Sequence, residues 1–197
     1  MRGIHPPWKP LGLTNLVMEN PDITKTMDEL PLPENYSLRA CSFTEKDIQQ
    51  LAMTTDMAYG DQHGVWDIQR IRSALIDDAT VQGTIVIDYT DPTNGETTIV
   101  GCGSMRIRDD KYPGKGYPHW IAVHPAHQGH GLGTIIMKAV HRSFVTSHQL
   151  TSAVLETQDP NIPAIAIYLK LGYQPVLSID TTMSDRWDKI LQQIQRK

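Results

Sequence analysis

A glycine-rich stretch near the middle of the chain carries the residues best suited to hold a phosphorylated ligand. Residues 123–133 read Val-His-Pro-Ala-His-Gln-Gly-His-Gly-Leu-Gly, which is an apolar strand end, a turn and the start of an amphipathic helix. Because Gly129, Gly131 and Gly133 carry no Cβ, backbone N–H groups can approach phosphate oxygens closely, and the helix N-terminus adds a positive partial charge. The pattern predicts a pyrophosphate-binding loop.

Two common phosphate loops fit this stretch poorly. A P-loop requires Gly-Lys-Ser/Thr, whereas Gly133 is followed by Thr134 and Ile135. The glycine spacing is G-x-G-x-G, whereas the dinucleotide fingerprint is G-x-G-x-x-G. Residue type and spacing therefore disfavour both kinds of nucleotide site.

Three segments together resemble the GNAT superfamily, the acyl-CoA-dependent N-acyltransferases. Residues 128–133 are similar to its Q/R-x-x-G-x-G/A pyrophosphate loop, and residues 120–125 look like the central strand that precedes it. Residues 161–173 resemble the N-x-x-A-x-x-x-Y-x-x-x-G-F/Y segment, with tyrosine at the last position. The strand and the loop form one block and residues 161–173 form a second. Two blocks in the family's order and separation are far more specific than either alone.

The resemblance implies that acetyl-CoA is a co-substrate bound by the loop and by the strand before it. In the family the strand pairs with the pantetheine arm, and its backbone N–H groups polarise the thioester carbonyl. Asn161 would bond the pantetheine arm or the adjacent backbone, although Asp-Pro-Asn is also an ordinary turn and helix-cap sequence. The positions so assigned are Ile121, Ala122, Val123, Gln128, Gly129, His130, Gly131, Leu132, Gly133, Thr134, Asn161 and Tyr168.

The family's usual route is direct attack of the amine on the thioester, which needs no nucleophilic side chain. Tyr168 matches the family tyrosine whose hydroxyl points at the CoA sulfur and protonates the departing thiolate; packing within its helix is the alternative. Neither cysteine, Cys41 nor Cys102, lies in the cofactor blocks, which disfavours a covalent acyl-cysteine.

His119 is the candidate general base. Strand alternation predicts that Tyr117, His119, Ile121 and Val123 share one face, beside the carbonyl donors. An imidazole with an ordinary pKa near 6.5 suits removal of a proton from an amine. Deprotonation by Tyr117 or by bulk solvent stays open, as does a purely structural histidine beside Trp120.

Three histidines recur every third residue across the loop, at His124, His127 and His130. The stretch turns from strand to loop within these positions, and no cysteine or carboxylate completes a ligand set. We therefore expect no metal.

Composition limits the remaining function classes. With Lys+Arg 18 against Asp+Glu 22, the net charge is −4 and the basic residues are scattered, so a nucleic-acid partner has no electrostatic support. No apolar run reaches the roughly 18 residues of a membrane span, and prolines interrupt the start, where a signal peptide would lie. We expect a soluble, cytoplasmic protein without a membrane partner.

Periodicity and turn signals predict three parts: a Pro-rich extension at 1–35, an acyltransferase domain at 36–180 and a C-terminal helix at 181–197 packed on or beside that domain. The fold class is α+β, with a mixed, mostly antiparallel sheet between helices in the order β-α-α-β-β-β-α-β-α-β. The predicted strands are 36–42, 83–89, 97–108, 119–124, 152–157 and 173–179, and the predicted helices 44–60, 65–79, 132–144 and 163–171.

The end of the chain departs from the family, which usually closes with a second C-terminal strand. Here Ser184 is predicted to cap an amphipathic helix instead. The family's last hairpin often shapes the acceptor pocket, so the sequence does not name the acceptor.

The leading hypothesis is an N-acetyltransferase that moves an acetyl group to a primary amine of a small molecule or peptide. A transferase for a longer acyl-CoA and a non-catalytic CoA-binding module are the alternatives. A homodimer is left open.

Overall fold

The computed structural model describes residues 14–28, 31–60 and 64–196. The strands are β1 Leu16–Asn20, β2 Tyr36–Ala40, β3 Val81–Thr90, β4 Thr97–Ile107, β5 Gly116–Val123, β6 Ala153–Thr157 and β7 Gln174–Pro175. The helices are α1 Glu45–Tyr59, α2 Ile68–Ile71, α3 Leu132–His148, α4 Ile162–Lys170 and α5 Met183–Gln195. Short 3-10 turns cover Ile23–Thr26, Pro125–His127 and Leu177–Ile179.

All seven strands form one mixed sheet in the order β2-β3-β4-β5-β6-β1-β7. Neighbouring strands are antiparallel except β5 and β6, which are parallel and pair only at Gly116 and Ala153 in the described chain. The two strands therefore separate toward their C-terminal ends, and this gap is the main irregularity of the sheet. The predicted α+β fold class is confirmed.

Helices cover both faces of the sheet. On one face α3 packs through the residues that its periodicity predicts, Leu132, Ile135, Ile136, Ala139, Val140 and Phe144. The same core includes side chains of α4 and α5. On the other face α1, α2 and the segment just before α2 pack against β3, β4 and β5 through Ile48, Leu51, Ala52, Trp66 and Ile71. We call these the α3 face and the α1 face.

Local signals fix several element ends. Thr44 caps α1 by accepting a hydrogen bond from the Asp47 N–H at 3.1 Å, as predicted. The helix predicted at 65–79 begins later, because Asp67 is its cap, and after α2 it continues as a π turn over Arg72–Ile76.

The first described strand lies in the segment assigned from sequence to an extension. β1 runs antiparallel between β6 and β7, and Leu16 and Met18 are fully buried in the α3-face core. Leu16–Asn20 thus lies within the sheet, although the sequence assigned it to the extension before residue 36. The rest of the predicted extension includes residues 1–13, which lie outside the described chain.

The C-terminal part also differs from the prediction. The strand expected at 173–179 is reduced to Gln174 and Pro175, because proline has no N–H for the ladder and the chain then turns at Leu177–Ile179. The last helix begins after Thr182, and Ser184 is inside it.

Candidate active site

A β-bulge interrupts β5 at the point where the acyl group is expected. His119 pairs with Ser104 and Ala122 pairs with Cys102, so two residues of β5 oppose one residue of β4. Trp120, the first of those two, has a φ of 47°, in the left-handed region that non-glycine residues rarely adopt. Such strain persists only where surrounding packing holds it.

The bulge changes which side chains share a face. Ile121 packs with the α3-face core, whereas Trp120 packs with the α1-face cluster. The His119 ring lies beside Trp120, with centroids 5.1 Å apart, and its partner Ser104 bonds Thr84 on the α1 face. The expectation that His119 and Ile121 share a face is therefore wrong, because the extra residue reverses the alternation.

An aromatic cluster of Tyr59, Trp66 and Trp120 supports the bulge from the α1 face. The Trp66 and Trp120 rings are 4.5 Å apart in an edge-to-face arrangement, and Tyr59 lies 5.5 Å from the first and 5.6 Å from the second. The Tyr59 hydroxyl donates a 3.0 Å hydrogen bond to the Ile121 carbonyl. The cluster therefore joins the end of α1 to the bulge.

The glycine loop lies at the end of β5 and opens α3. Gly129 and Gly131 have φ values of 83° and 76°, and Gly131 is the N-cap of α3. No backbone N–H from 129 to 133 has an acceptor among the described residues; the helix bonding begins at Thr134, whose N–H bonds the Gly131 carbonyl. A Cβ at Gly133 would lie 3.1 Å from Ile167, so glycine lets α3 approach α4 closely. The loop thus has donors available for an anion.

The other predicted loop residues have distinct positions. The Gln128 carboxamide donates to the Val123 carbonyl at 3.2 Å, which ties the loop to the strand end. His130 is exposed, and its Nδ1 lies 3.1 Å from the Gln128 carbonyl. The Leu132 side chain is buried in the core, so only its backbone can face a ligand.

Tyr168 and Asn161 lie on and before α4. Burial raises the pKa of Tyr168 to about 12, so its hydroxyl keeps its proton at neutral pH. Burial also raises the pKa of Tyr59, with smaller contributions from Cys102 and Tyr168. Asn161 begins α4 without a side-chain cap and instead donates to the Thr157 hydroxyl at 3.3 Å. Tyr168 packs against the α3-face core and Tyr59 against the α1-face cluster, so the two tyrosines lie on opposite faces of the sheet.

His119 is neutral in this environment. Burial and, to a smaller extent, the nearby Arg106 charge lower its pKa to about 3, while Asp78 opposes the shift. Arg106 and Asp78 form a 2.8 Å ion pair. A neutral imidazole accepts hydrogen bonds, but its low pKa makes it a weak base.

The three loop histidines make different hydrogen bonds, although the His124 and His127 rings lie 5.7 Å apart. His127 accepts or donates a 2.9 Å hydrogen bond with the Tyr36 hydroxyl, and its ring lies 4.8 Å from that of Tyr89. His124 instead accepts from the Ala126 N–H. Among the described residues no group of three or more His, Cys, Asp or Glu side chains is arranged to hold a metal ion.

Two residues at the gap were given no individual role from sequence, although the segment 59–66 was expected to border the acceptor cleft. Tyr59 ends an amphipathic helix and carries no local sign of its bond to β5. Glu156 is a charged residue inside a buried strand, an unusual placement that is the available signal. Both lie on the α1 face, where contacts between distant parts of the chain define the site.

The glycine loop, the gap and the bulge lie within one sequence family match. Residues 46–173 match the model of the acetyltransferase (GNAT) family. This chain belongs to the GNAT family. The members of this family are described as acetyltransferases. No curated protein matches the chain in sequence.

Solved GNAT structures share the fold. A tandem GNAT protein from the clavulanic acid biosynthesis pathway is 15% identical with a TM-score of 0.61, over 82% of this chain and 50% of that one. A GCN5-related N-acetyltransferase from Kribbella flavida is 18% identical with a TM-score of 0.52, over 83% and 55%. The ribosomal-protein-S18-alanine N-acetyltransferase from Escherichia coli is 18% identical with a TM-score of 0.53, over 71% and 77%. The chain spans about half the length of the first two.

Among the described residues of this GNAT protein, none of the helices has the length and apolar character needed to cross a membrane.

Proposed function

We propose that this GNAT protein transfers an acetyl group from acetyl-CoA to a primary amine by direct attack in a ternary complex. The observation that carries the proposal is the row of backbone N–H groups at 129–133, which have no acceptor in the described chain and lie at the mouth of the β5–β6 gap. Such a row, together with a helix N-terminus, binds a pyrophosphate without requiring a lysine.

The unpaired edge of β5 supports the placement of the pantetheine arm. Among the described residues β5 pairs with β6 only at Gly116, so the edge of the strand beyond this pair is open to an extended ligand. The bulge then turns the backbone around Ile121 toward the gap, where N–H groups from Ile121 to Val123 polarise the thioester carbonyl. Large aromatic side chains fill the α1 side of the bulge, which favours a short acyl group over a long one.

Tyr168 supplies the proton for the departing thiolate. Its raised pKa keeps the hydroxyl protonated, and the helix that carries it lies against the glycine loop, where a Cβ at Gly133 would be 3.1 Å from Ile167. A neutral His119 accepts a hydrogen bond from the amine, and the amine proton passes to solvent. His119 in this role contributes less to removal of the amine proton than a general base with an ordinary pKa would.

The decisive experiment follows release of free CoA thiol from acetyl-CoA across a panel of primary amines. We expect at least one amine to be acetylated, with Tyr168→Phe reducing kcat about tenfold and leaving acetyl-CoA affinity nearly unchanged. Tyr89→Phe, a partly buried tyrosine of the same core, is the matched control and should leave kcat unchanged.

Two outcomes would revise the proposal. Tight acetyl-CoA binding with no thiol release for any amine would favour a non-catalytic CoA-binding module. Faster transfer from longer acyl-CoA thioesters would replace acetyl as the donor group.

A further inference from the structure

Glu156 presents a carboxylate on the α1 face, beside the gap. Its neighbours Ala153 and Leu155 point into the α3-face core, so strand alternation places Glu156 on the opposite face. The side chain is 16% exposed. The carboxylate accepts hydrogen bonds from the Lys111 ammonium at 2.5 Å, the Tyr112 hydroxyl at 2.8 Å and the Asn15 amide at 2.9 Å.

Two of these three donors come from the loop between β4 and β5, at 108–115. The same loop is joined to β1 by an ion pair of Lys115 with Glu19. The loop thus lies across β6 and β1, and Lys111 holds a primary ammonium group against Glu156. Lys111 is 49% exposed, and ion pairs with a partner this exposed contribute little net stability. Replacing this lysine with another ammonium group therefore costs little.

Glu156 lies within reach of an acceptor bound in the gap. Extending the parallel register from Gly116 and Ala153 sets Glu156 level with His119. The backbone that polarises the carbonyl begins at Ile121, two residues or about 7 Å further along the strand. The Tyr112 ring, whose hydroxyl donates to Glu156, stacks on Tyr117 of β5 with centroids 5.9 Å apart, which places the carboxylate beside β5.

The other charges near Glu156 are neutralised by short ion pairs within the protein. Arg106 pairs with Asp78, and Arg108 pairs with Asp110, each at 2.8 Å. Burial raises the pKa of Glu156, but hydrogen bonds from Lys111, Asn15 and Tyr112 together outweigh it and lower the pKa, so the carboxylate is ionised at neutral pH. Glu156 is thus a charged carboxylate whose counterion is a half-exposed ammonium.

We propose that Glu156 recognises a second, unreacting ammonium group of the acceptor, in the place that Lys111 holds in the protein without acceptor. The inference rests on the proposed amine acetylation and deepens it by naming the acceptor class. That class is an aliphatic diamine or polyamine, in which one nitrogen reacts near Ile121 and another binds Glu156. Exchange of one ammonium for another preserves the charge balance at the half-buried carboxylate, whereas a neutral group in that place leaves it unpaired.

The test measures binding directly, by calorimetry on the full chain with CoA added, so that it does not depend on catalysis. The probes are 1,4-diaminobutane and 4-amino-1-butanol, which match in length and differ in one ammonium group. We expect the diamine to bind at least about tenfold tighter. Glu156→Gln should abolish the difference, and Lys111→Met should tighten diamine binding because the competing ammonium is gone.

Glu19→Gln is the matched control, because it removes the other ion pair of the same loop and should keep the preference. The inference is overturned if the wild type binds both probes equally or binds neither, or if the preference survives in Glu156→Gln. If Glu156→Gln does not fold, Lys111→Met provides the test. An unchanged diamine affinity in that variant would show that the diamine does not displace the Lys111 ammonium. Failure of acetyl transfer with every amine would instead contradict the proposed function while leaving these binding results interpretable.

Discussion

The Tyr59 hydroxyl donates a 3.0 Å hydrogen bond to the carbonyl oxygen of Ile121, and so links the last residue of α1 to the bulge of β5. The contact crosses 62 positions of sequence. It orients the same peptide backbone that the proposed mechanism uses to polarise the thioester carbonyl. Tyr59 is therefore a positioning residue, which acts on the reaction through the strand.

Tyr59→Phe should reduce kcat about tenfold while changing the KM for acetyl-CoA little, since the glycine loop is untouched. Loss of the donor also leaves the Ile121 carbonyl unpaired, at a cost of about 1–3 kcal/mol in stability. Steady-state kinetics and denaturant unfolding measure the two effects.

Thr54→Val is the control for Tyr59→Phe. Thr54, also on α1, donates a 2.6 Å hydrogen bond to the Ile99 carbonyl of β4, away from the gap. It should lower stability without lowering kcat. Equal losses of kcat in the two variants would show that general weakening of the α1 contact, rather than orientation of Ile121, reduces activity.

Gly131→Glu should abolish stabilisation of the protein by acetyl-CoA. In the wild type, ligand at a hundredfold above Kd stabilises the folded state by about 2.7 kcal/mol. A carboxylate at the N-cap of α3 would occupy and repel the pyrophosphate position. Thermal unfolding with and without acetyl-CoA measures the effect.

The matched control for Gly131→Glu is Gly95→Glu. Gly95 has a φ of +73°, close to the +76° of Gly131, and a Cβ at either position meets open space. The backbone strain of the two substitutions is thus comparable, and only the loop variant should lose the ligand response. If both variants respond like the wild type, the pyrophosphate does not bind this loop.

Local sequence signals predicted the parts of the fold that depend on nearby residues. Thr44 caps α1 through a hydroxyl three residues from its donor, and Asn94-Gly95 turns the β3–β4 hairpin with Gly95 at positive φ. β1 was missed because Leu16–Asn20 follows a Pro-rich stretch and becomes a strand only by pairing with β6 and β7. Long-range pairing of this kind leaves no periodic signal in five residues.

In the candidate site, too, features set by nearby residues were predicted and features set by long-range contacts were not. The glycine loop follows from residue type and spacing, whereas the bulge at Trp120 does not, because packing by Tyr59 and Trp66 holds a φ that Trp does not prefer. That single bulge separates His119 from Ile121. Burial then lowers the pKa of His119, an effect that depends on the folded surroundings.

The pH profile of acetyl transfer should show no limb from His119 in the neutral range. Its pKa of about 3 keeps the ring neutral from there upward, so activity between pH 5 and 9 should follow the fraction of free amine. His119→Gln should lower kcat/KM and leave the shape of the profile unchanged. An acidic limb near pH 6.5 that disappears in His119→Gln would show instead that His119 is a general base with an ordinary pKa.

His141 should make the protein less stable as the pH falls from about 6.5 to about 4. The ring is fully buried in α3, where its nitrogens lie 2.7 Å from the Thr26 hydroxyl and 2.8 Å from the Tyr173 hydroxyl. Burial lowers its pKa to about 4, whereas the unfolded value is near 6.5. In that window the unfolded chain binds more protons, so the free energy of unfolding decreases with falling pH.

The contribution of His141 is fully present above pH 6.5 and amounts to about 3 kcal/mol, which is lost by about pH 4. The lowered pKa of His119 changes stability in the same direction. The test therefore compares how steeply the free energy of unfolding depends on pH, rather than its value at one pH. Urea unfolding at several pH values measures this slope for the wild type, His141→Gln and His130→Gln. His141→Gln should flatten the pH dependence, even though losing the ring also lowers stability at neutral pH. The exposed His130 is the control, and its replacement should leave the slope intact. An unchanged slope in His141→Gln would mean that protonation of the buried ring does not limit stability at acid pH.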